Sequence, residues 1–403
     1  MRVGIDELRL YPSTLALSLA DLCVARDKHP EETIAHLLVK ERTVLPPWED
    51  SVTLAVNAAA PLVDDEERDR IELLIVGTET PVDLEKPISS WVHRHLGLSS
   101  RCRNFDVQHA CYSVTSAVQL ALAWLSSPAG RGKKALVVGS DASLLGLDEP
   151  WEFILGAGGV ALLLSEEPRF VAIDPGASGV YACEVTDVIR PSRRIETGSS
   201  EESLFAYLEA VGGAHDAWVE KHGPWSGFAG CVYHSPFPGI TFRAHQTMLR
   251  QTDADLSRAD AWDDFERRVL PGLCHHRRTG AVYGSSTFAS LLGMVDARPE
   301  LGPGDALSVF AFGSGSCAEL YRVELGPEVR AMAAAASASV LIDAREAIDV
   351  ATYESLERER AASVDQADYR PSRLDGHFAR AWEGRGRLFL REVEGWVRSY
   401  AWS

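Results

Sequence analysis

No two cysteines in this chain have the CxxC spacing of a redox pair or a zinc site. The seven, at 23, 102, 111, 183, 231, 274 and 317, are scattered and odd in number. That usage fits reduced thiols and argues against a disulfide framework. No apolar run approaches the roughly 20 residues that a membrane span needs. The opening residues Met1-Arg2-Val3-Gly4-Ile5-Asp6-Glu7 lack the basic and apolar regions of a leader, so the expected location is the cytoplasm. Cationic residues are also in deficit. Forty Lys and Arg against 58 Asp and Glu give a net charge of −18, which argues against nucleic acid as a partner, because phosphate binding depends on clustered cations.

What is present is ordinary globular material, 46% hydrophobic and 24% charged over 403 residues, enough to bury a large core. Apolar runs at 71–77, 135–139, 159–164, 228–233 and 306–312 alternate with helical stretches, so the fold class is α/β with buried strands. Segments 135–140 and 158–164, then 306–312 and 317–321, read as two apolar hairpins that echo each other. Beyond residue 327 the pattern changes. Residues 328–336 and 353–362 read as helices, and no strand-like run is visible between 327 and 375. Within 385–403, Leu388, Phe389, Leu390, Val393 and Trp396 fall at helical spacing.

Three strand ends carry chemistry. Cys111 stands between a short apolar strand near 104–107 and an Ala/Leu-rich helix. A helix N-terminus offers unpaired N–H groups and partial positive charge, which predicts a depressed thiol pKa and a nucleophile. The run 71–77 ends in Thr78-Glu79-Thr80, where an apolar setting predicts a raised carboxyl pKa suited to a base. A third run, starting at Cys231, ends in His234. Each is commonplace alone; together, on loops after apolar strands where catalytic groups gather, they are much less expected by chance.

Thr78-Glu79-Thr80, Ala110-Cys111-Tyr112, Tyr233-His234-Ser235-Pro236 and Phe312-Gly313-Ser314-Gly315-Ser316 occur in the order and spacing of the 3-hydroxy-3-methylglutaryl-CoA synthases of the thiolase superfamily, which the chain resembles along essentially its whole length. The stretches 43–53, 90–98 and 384–388 resemble the β-branching synthases of modular polyketide pathways, which act on acyl groups tethered to acyl carrier protein. The resemblance implies a thiolase-type fold, two related halves forming a five-layered αβαβα core. Residues 1–168 would carry Glu79 and Cys111. Residues 169–403 would carry His234, with a helical extension from about 327. It also implies a homodimer in which the 103–109 segment meets its symmetry mate.

The implied reaction joins an acetyl or short acyl group held on Cys111 to a β-ketoacyl thioester, giving a 3-hydroxy-3-methylglutaryl-type β-branch. Substrates would arrive as phosphopantetheine thioesters on donor and acceptor carrier proteins, or alternatively on coenzyme A, with no metal and no bound cofactor. The backbone N–H groups of Cys111 and Ser314 would form the oxyanion hole. Candidate substrate contacts are Tyr283, Thr279, Ser235 and Arg243. The family's acceptor-binding asparagine is replaced by Ala281, whose side chain donates no hydrogen bond, and bulky Trp151-Glu152-Phe153-Ile154-Leu155 stands where the family has small residues near the acyl pocket. An acidic carrier would need a basic patch, with candidates Arg26, Lys28, His29, Lys40 and Arg42, and a second cluster at Arg190, Arg193 and Arg194. Rival readings are a synthase using free coenzyme A esters, a ketoacyl synthase III-like enzyme, and a catalytically impaired docking protein.

Overall fold

A computed structural model describes residues 2–143, 146–374 and 376–403. The sheet strands are β1 (Val3–Tyr11), β2 (Ile71–Gly77), β3 (Arg103–Val107), β4 (Lys134–Ala142) and β5 (Ala157–Ser165), then β6 (Val171–Ala182), β7 (Gly230–Tyr233), β8 (Ala306–Gly313) and β9 (Cys317–Leu325). They hydrogen-bond in the order β7-β8-β9-β6-β1-β5-β4-β2-β3. From the centre outward, β1 pairs antiparallel with β5, β5 antiparallel with β4, and β4 parallel with β2. On the other side β6 pairs antiparallel with β9, β9 antiparallel with β8, and β8 parallel with β7. The two halves therefore repeat one topology and meet where β1 runs antiparallel to β6. Only the first half has a further strand, β3, parallel on β2 at the edge.

Strand residues alternate between two covered faces, which is why each strand reads as a nearly continuous apolar run. In the first half Leu73, Ile75, Val137 and Leu162 face a central core, while Leu74, Val76, Leu136 and Leu163 face an outer one. The helices are α1 (Ser51–Ala59), α2 (Ile88–His95), α3 (Ser113–Leu125), α4 (Ser200–His222), α5 (Ile240–Arg250) and α6 (Ser285–Ala297). α3 and α6 fill the central core between the two halves, α1 and α2 cover the first half, and α4 and α5 cover the second. Helix, sheet, helix, sheet, helix is the expected layering, although hydrogen bonding through β1 and β6 makes the sheet continuous. α6 is buried on every side over Ser285 to Val295, as a central-layer helix must be. At α1, Asp50 accepts from the N–H groups of Val52 and Thr53 while the Thr53 hydroxyl engages the Asp50 N–H, a reciprocal capping box. No helix among the described residues is long and apolar enough to cross a membrane.

The C-terminal expectation is corrected in two places. Val329–Ala336 and Val350–Ser363 are helices as anticipated, but Glu346–Ile348 is a short strand that pairs with Leu15–Ser18. Residues 385–403 do not form a helix: Leu388–Glu394 and Val397–Trp402 make an antiparallel hairpin. A register shift between Leu390 and Glu392 places the buried residues at 388, 390 and 393, and that uneven spacing imitates a helical stripe. Gly395 and Trp396, at φ 52° and 71°, form the turn, the positive-φ geometry that closes tight hairpins.

Candidate active site

The equivalent strands β2 and β7 each end at the same edge of their half. Glu79 follows β2 by two residues and His234 follows β7 directly. The C-terminal end of β3 leads through residues 108–110 to Cys111, and β8 ends at Gly313, next to Ser314. Loops after the carboxyl ends of neighbouring parallel strands gather on one side, which is where such sheets place ligands. Here they enclose a cavity of about 450 Å³ lined by Glu79, Cys111, His234, Ser235, Tyr283 and Ser314. Ala110, immediately before the cysteine, sits at φ 40°, a left-handed conformation that costs roughly 1–3 kcal/mol and is typical of functional turns. Gly313 is required for a different reason. A Cβ there would lie 2.6 Å from the His109 carbonyl oxygen and 2.7 Å from the Tyr112 nitrogen, so only glycine lets the end of β8 rest against the cysteine turn.

The electrostatics correct one expectation and support another. Burial, followed by the charges of Glu79, Asp141 and Glu196, pushes the Cys111 thiol well above the ordinary range. α3 begins only at Ser113, and its partial charge of about +0.5 does not outweigh three carboxyl groups and desolvation. The resting group is a thiol. Burial, then the neighbouring Asp141, raises Glu79 to about 8, in the direction the sequence predicts. One of its carboxylate oxygens is buried without a partner among the described residues, and the other accepts from Gln108 at 3.5 Å.

Asp141, at the end of β4, was not foreseen. It is fully buried and accepts from the N–H groups of Glu79 (2.8 Å) and Thr80 (3.1 Å) and from the Thr80 hydroxyl (3.0 Å). It thereby pins the turn that carries Glu79, and burial raises its own pKa to about 7. Arg190 belongs here too rather than to a surface patch. Its guanidinium donates to the Glu79 carbonyl, to Glu196, and to the Tyr283 hydroxyl at 2.7 Å.

His234 is 1% exposed, and burial, then the nearby His276, lowers its pKa to about 3, so the imidazole is neutral. Its backbone is fixed: the N–H donates to the Phe310 carbonyl at 2.6 Å, and the carbonyl accepts from the Tyr207 hydroxyl at 2.7 Å. Both ring nitrogens, and the Ser235 hydroxyl, lack partners among the described residues. Buried polar atoms rarely stay unsatisfied, so these are free to engage a ligand. His276, equally buried and with both ring nitrogens unpartnered, was also not foreseen.

Of the other anticipated contacts, Tyr283, Ser235 and Arg243 line the cavity, as do Ala281 and the bulky Trp151, Ile154 and Leu155. Thr279 does not. It is 1% exposed and its hydroxyl engages the His275 and Gly280 carbonyls at 3.3 and 3.2 Å. Two docking candidates are internal struts. Arg26 is ion-paired with Asp148, Glu152 and Glu354, and buried Arg42 donates to the Glu152 carbonyl and the Tyr353 hydroxyl. Lys28, His29 and Lys40 are exposed, whereas Arg193 and Arg194 face Asp365. Asp141, Gln108, Tyr207, Glu196 and His276 escaped sequence reasoning because none sits in a motif; the tertiary fold alone brings them to the site.

Comparison with known proteins gives four findings. Family models described as hydroxymethylglutaryl-coenzyme A synthase N terminal and C terminal match residues 3–168 and 243–401. The chain is 33% identical to the polyketide biosynthesis 3-hydroxy-3-methylglutaryl-ACP synthase PksG of Bacillus subtilis, over 99% of each chain. It is 27% identical to the hydroxymethylglutaryl-CoA synthase of Enterococcus faecalis, over 88% of this chain and 91% of that one. Among solved structures, the HMG synthase of the curacin biosynthetic pathway in complex with holo donor-ACP matches with TM-score 0.94 at 33% identity, covering 100% of both chains.

Proposed function

The chain belongs to the hydroxymethylglutaryl-coenzyme A synthase family of carbon–carbon bond-forming acyltransferases, and from that membership we propose an acyl carrier protein-dependent reaction. An acetyl or short acyl group passes from a donor carrier to Cys111 and is condensed with a β-ketoacyl thioester on an acceptor carrier. The observation that carries the chemistry is the shared wall of Glu79, Cys111 and His234 in one cavity. The carrier assignment is supported by the likeness to PksG, named an ACP synthase, over 99% of each chain, and to the curacin synthase solved with a donor ACP.

In this mechanism the Cys111 sulfur attacks the donor thioester, the acyl–sulfur bond to pantetheine breaks, and the thiol proton leaves with the pantetheine sulfur. The thiol needs no standing thiolate, because its proton departs in the same exchange. Glu79, a strong base for a carboxylate once ionised, removes a proton from the bound acetyl methyl group. The enolate carbon bonds to the acceptor β-carbon. Neutral His234 donates a hydrogen bond to the carbonyl oxygen, which becomes a tertiary alcohol as it takes up the proton that Glu79 removed, leaving Glu79 ionised again. Water then cleaves the Cys111 thioester, restoring the thiol and leaving a new carboxylate on a product still attached to the acceptor carrier. The Cys111 and Ser314 N–H groups stabilise the thioester oxygen in the acyl-transfer steps. Tyr283, Ser235 and Arg243 contact substrate, exposed Lys28 and Lys40 contribute to carrier docking, and the edge strand β3 pairs with that of a second copy in a cytoplasmic homodimer.

Intact-protein mass spectrometry after mixing with an acetyl-charged carrier tests the reading. One acetyl group on Cys111 is expected, with carrier thioesters outcompeting equal concentrations of coenzyme A thioesters. Equal efficiency with free acetyl-CoA and acetoacetyl-CoA would instead assign the chain to the coenzyme A-dependent branch.

A further inference from the structure

Glu79 also belongs to a second cavity, of about 350 Å³, between the 79–84 turn, the hairpin Val188–Ser192 and Ile195–Gly198, and the C-terminal segments around 360–369 and 390–398. This cavity shares Glu79, Gln108, Arg190 and Glu196 with the catalytic one. Those four residues form the partition. Gln108 is its least anchored member, exposed and joined to Glu79 by one 3.5 Å contact. Two volumes of 350 and 450 Å³, each within the ordinary size range for ligand sites, thus adjoin at Glu79.

The chemistry of the acceptor calls for such an arrangement. Its β-carbon carries two substituents: the thioester arm that leads back to the carrier, and whatever chain was built before. Exposed His36 and Arg243 are part of the lining of the catalytic cavity and offer an opening through which a pantetheine arm can enter. The other substituent must leave the reacting centre in a different direction, and the second cavity is the space available beside Glu79.

Its wall suits an oxygenated chain. Leu45, Val82 and Leu390 supply apolar surface, beside the guanidinium groups of Arg193 and Arg398. Arg193 has a single contact at 3.5 Å, to Asp365, although its side chain is only 20% exposed. Burial and the charge of Arg398 lower its pKa while the carboxylates of Asp365, Asp50 and Asp83 act the other way, and among the described residues its guanidinium makes only this one long contact. Glu49, in the same wall, is 4% exposed; one carboxyl oxygen accepts from the Ser13 hydroxyl and the other is buried without a partner among the described residues. Half-satisfied donors and acceptors in a roomy cavity mark a place where a ligand completes the hydrogen bonding.

We propose that this chamber receives the acyl chain an acceptor carries beyond its β-carbonyl, an extended chain bearing oxygen functions, while the reacting carbonyl stays between Glu79 and His234. The assignment rests on the condensation reading above. It makes the chain length and oxygenation of the acceptor, rather than its carrier alone, a determinant of specificity.

The test uses the full-length enzyme acetylated from an acetyl-charged donor acyl carrier protein and offered three acceptors, each loaded as the phosphopantetheine thioester on one acceptor acyl carrier protein: 3-oxobutanoate, 3-oxodecanoate and 3-oxodecanedioate. Product is read by mass spectrometry. Wild type is expected to prefer the longer acceptors about tenfold or more in kcat/KM, the scale at which a few methylenes discriminate in a pocket. Ser363→Trp and Leu84→Trp fill the chamber from its lining and should lower the long-to-short ratio about tenfold, chiefly by raising KM for the long chains. Arg193→Gln should lower the preference for the terminal carboxylate about threefold to tenfold. An unchanged long-to-short ratio in both tryptophan variants, with 3-oxobutanoate still condensed, overturns the chamber and leaves the condensation intact. Failure of acetylated wild type to condense with any of the three overturns the condensation reading and the chamber with it.

Discussion

The two halves of the molecule share a strand order and the same pairing senses, yet they contribute unequally to the cavity. Equivalent strands β2 and β7 deliver Glu79 and His234, so duplication supplied two matched attachment points. Cys111, the proposed nucleophile, follows β3, a strand with no counterpart in the second half among the described residues. Support differs as well. Glu79 stands on a turn pinned by Asp141, whereas both His234 ring nitrogens are left open. On the proposed mechanism the first half therefore holds the groups that form and deprotonate the acyl enzyme, and the second presents a neutral donor to the incoming carbonyl.

The largest break in this division comes from Cys111→Ala, which should abolish acyl loading because no other side chain is assigned to form the thioester. A persistent adduct in a well-folded variant would take the nucleophile away from the extra strand. Next, Glu79→Gln should load normally but condense about 10³-fold more slowly, within the usual range for a lost general base, so the acyl enzyme accumulates. Equal loss of loading and condensation would make Glu79 structural. His234→Ala should slow condensation about 10²-fold, as removal of one carbonyl donor typically does, and should affect loading less. If loading suffers more, the second half takes part in acyl transfer.

A pH series sharpens the contrast. With Glu79 at about 8, the condensation rate should rise from neutral pH through that value, because the ionised form is the base. Stability should move the other way. The folded pKa lies above the ordinary 4.5, so the stabilisation from neutral Glu79 is complete below about 4.5 and is lost as pH rises through about 8. Thermal unfolding should then show Glu79→Gln gaining on wild type at alkaline pH. Asp141→Asn removes a charge that raises Glu79, and should shift the rate profile to lower pH by about one unit. The smallest effect is expected from Lys28→Glu, a few-fold weaker carrier docking that fades as salt rises. A salt-independent loss would mean that Lys28 acts by packing.

Much of this was legible along the chain. Apolar runs such as 71–77 and 306–312 became strands because both faces of each are covered, and Cys111, Glu79 and His234 fell where their strand ends placed them. The misreadings have physical causes. A bulge near Arg391 gave a strand the spacing of a helix. Arg26 and Arg42 looked like surface charge, but the carboxylates of Glu152 and Glu354 and the Tyr353 hydroxyl come from segments more than a hundred residues away. Thr279 lies close to the site in sequence, but its hydroxyl turns back to its own helix.

By itself the sequence determined the strands, the three candidate side chains and the family, because side-chain periodicity and motif spacing are local properties that survive without coordinates. The tertiary structure alone decided the protonation of Cys111, the seat of Glu79 on Asp141, the capture of Arg190 by the site, and the second chamber behind the base. Each of these depends on burial or on charge–charge distance between segments far apart in the chain. Desolvation and Coulomb energy are set by separation in space, a quantity that a linear pattern does not contain.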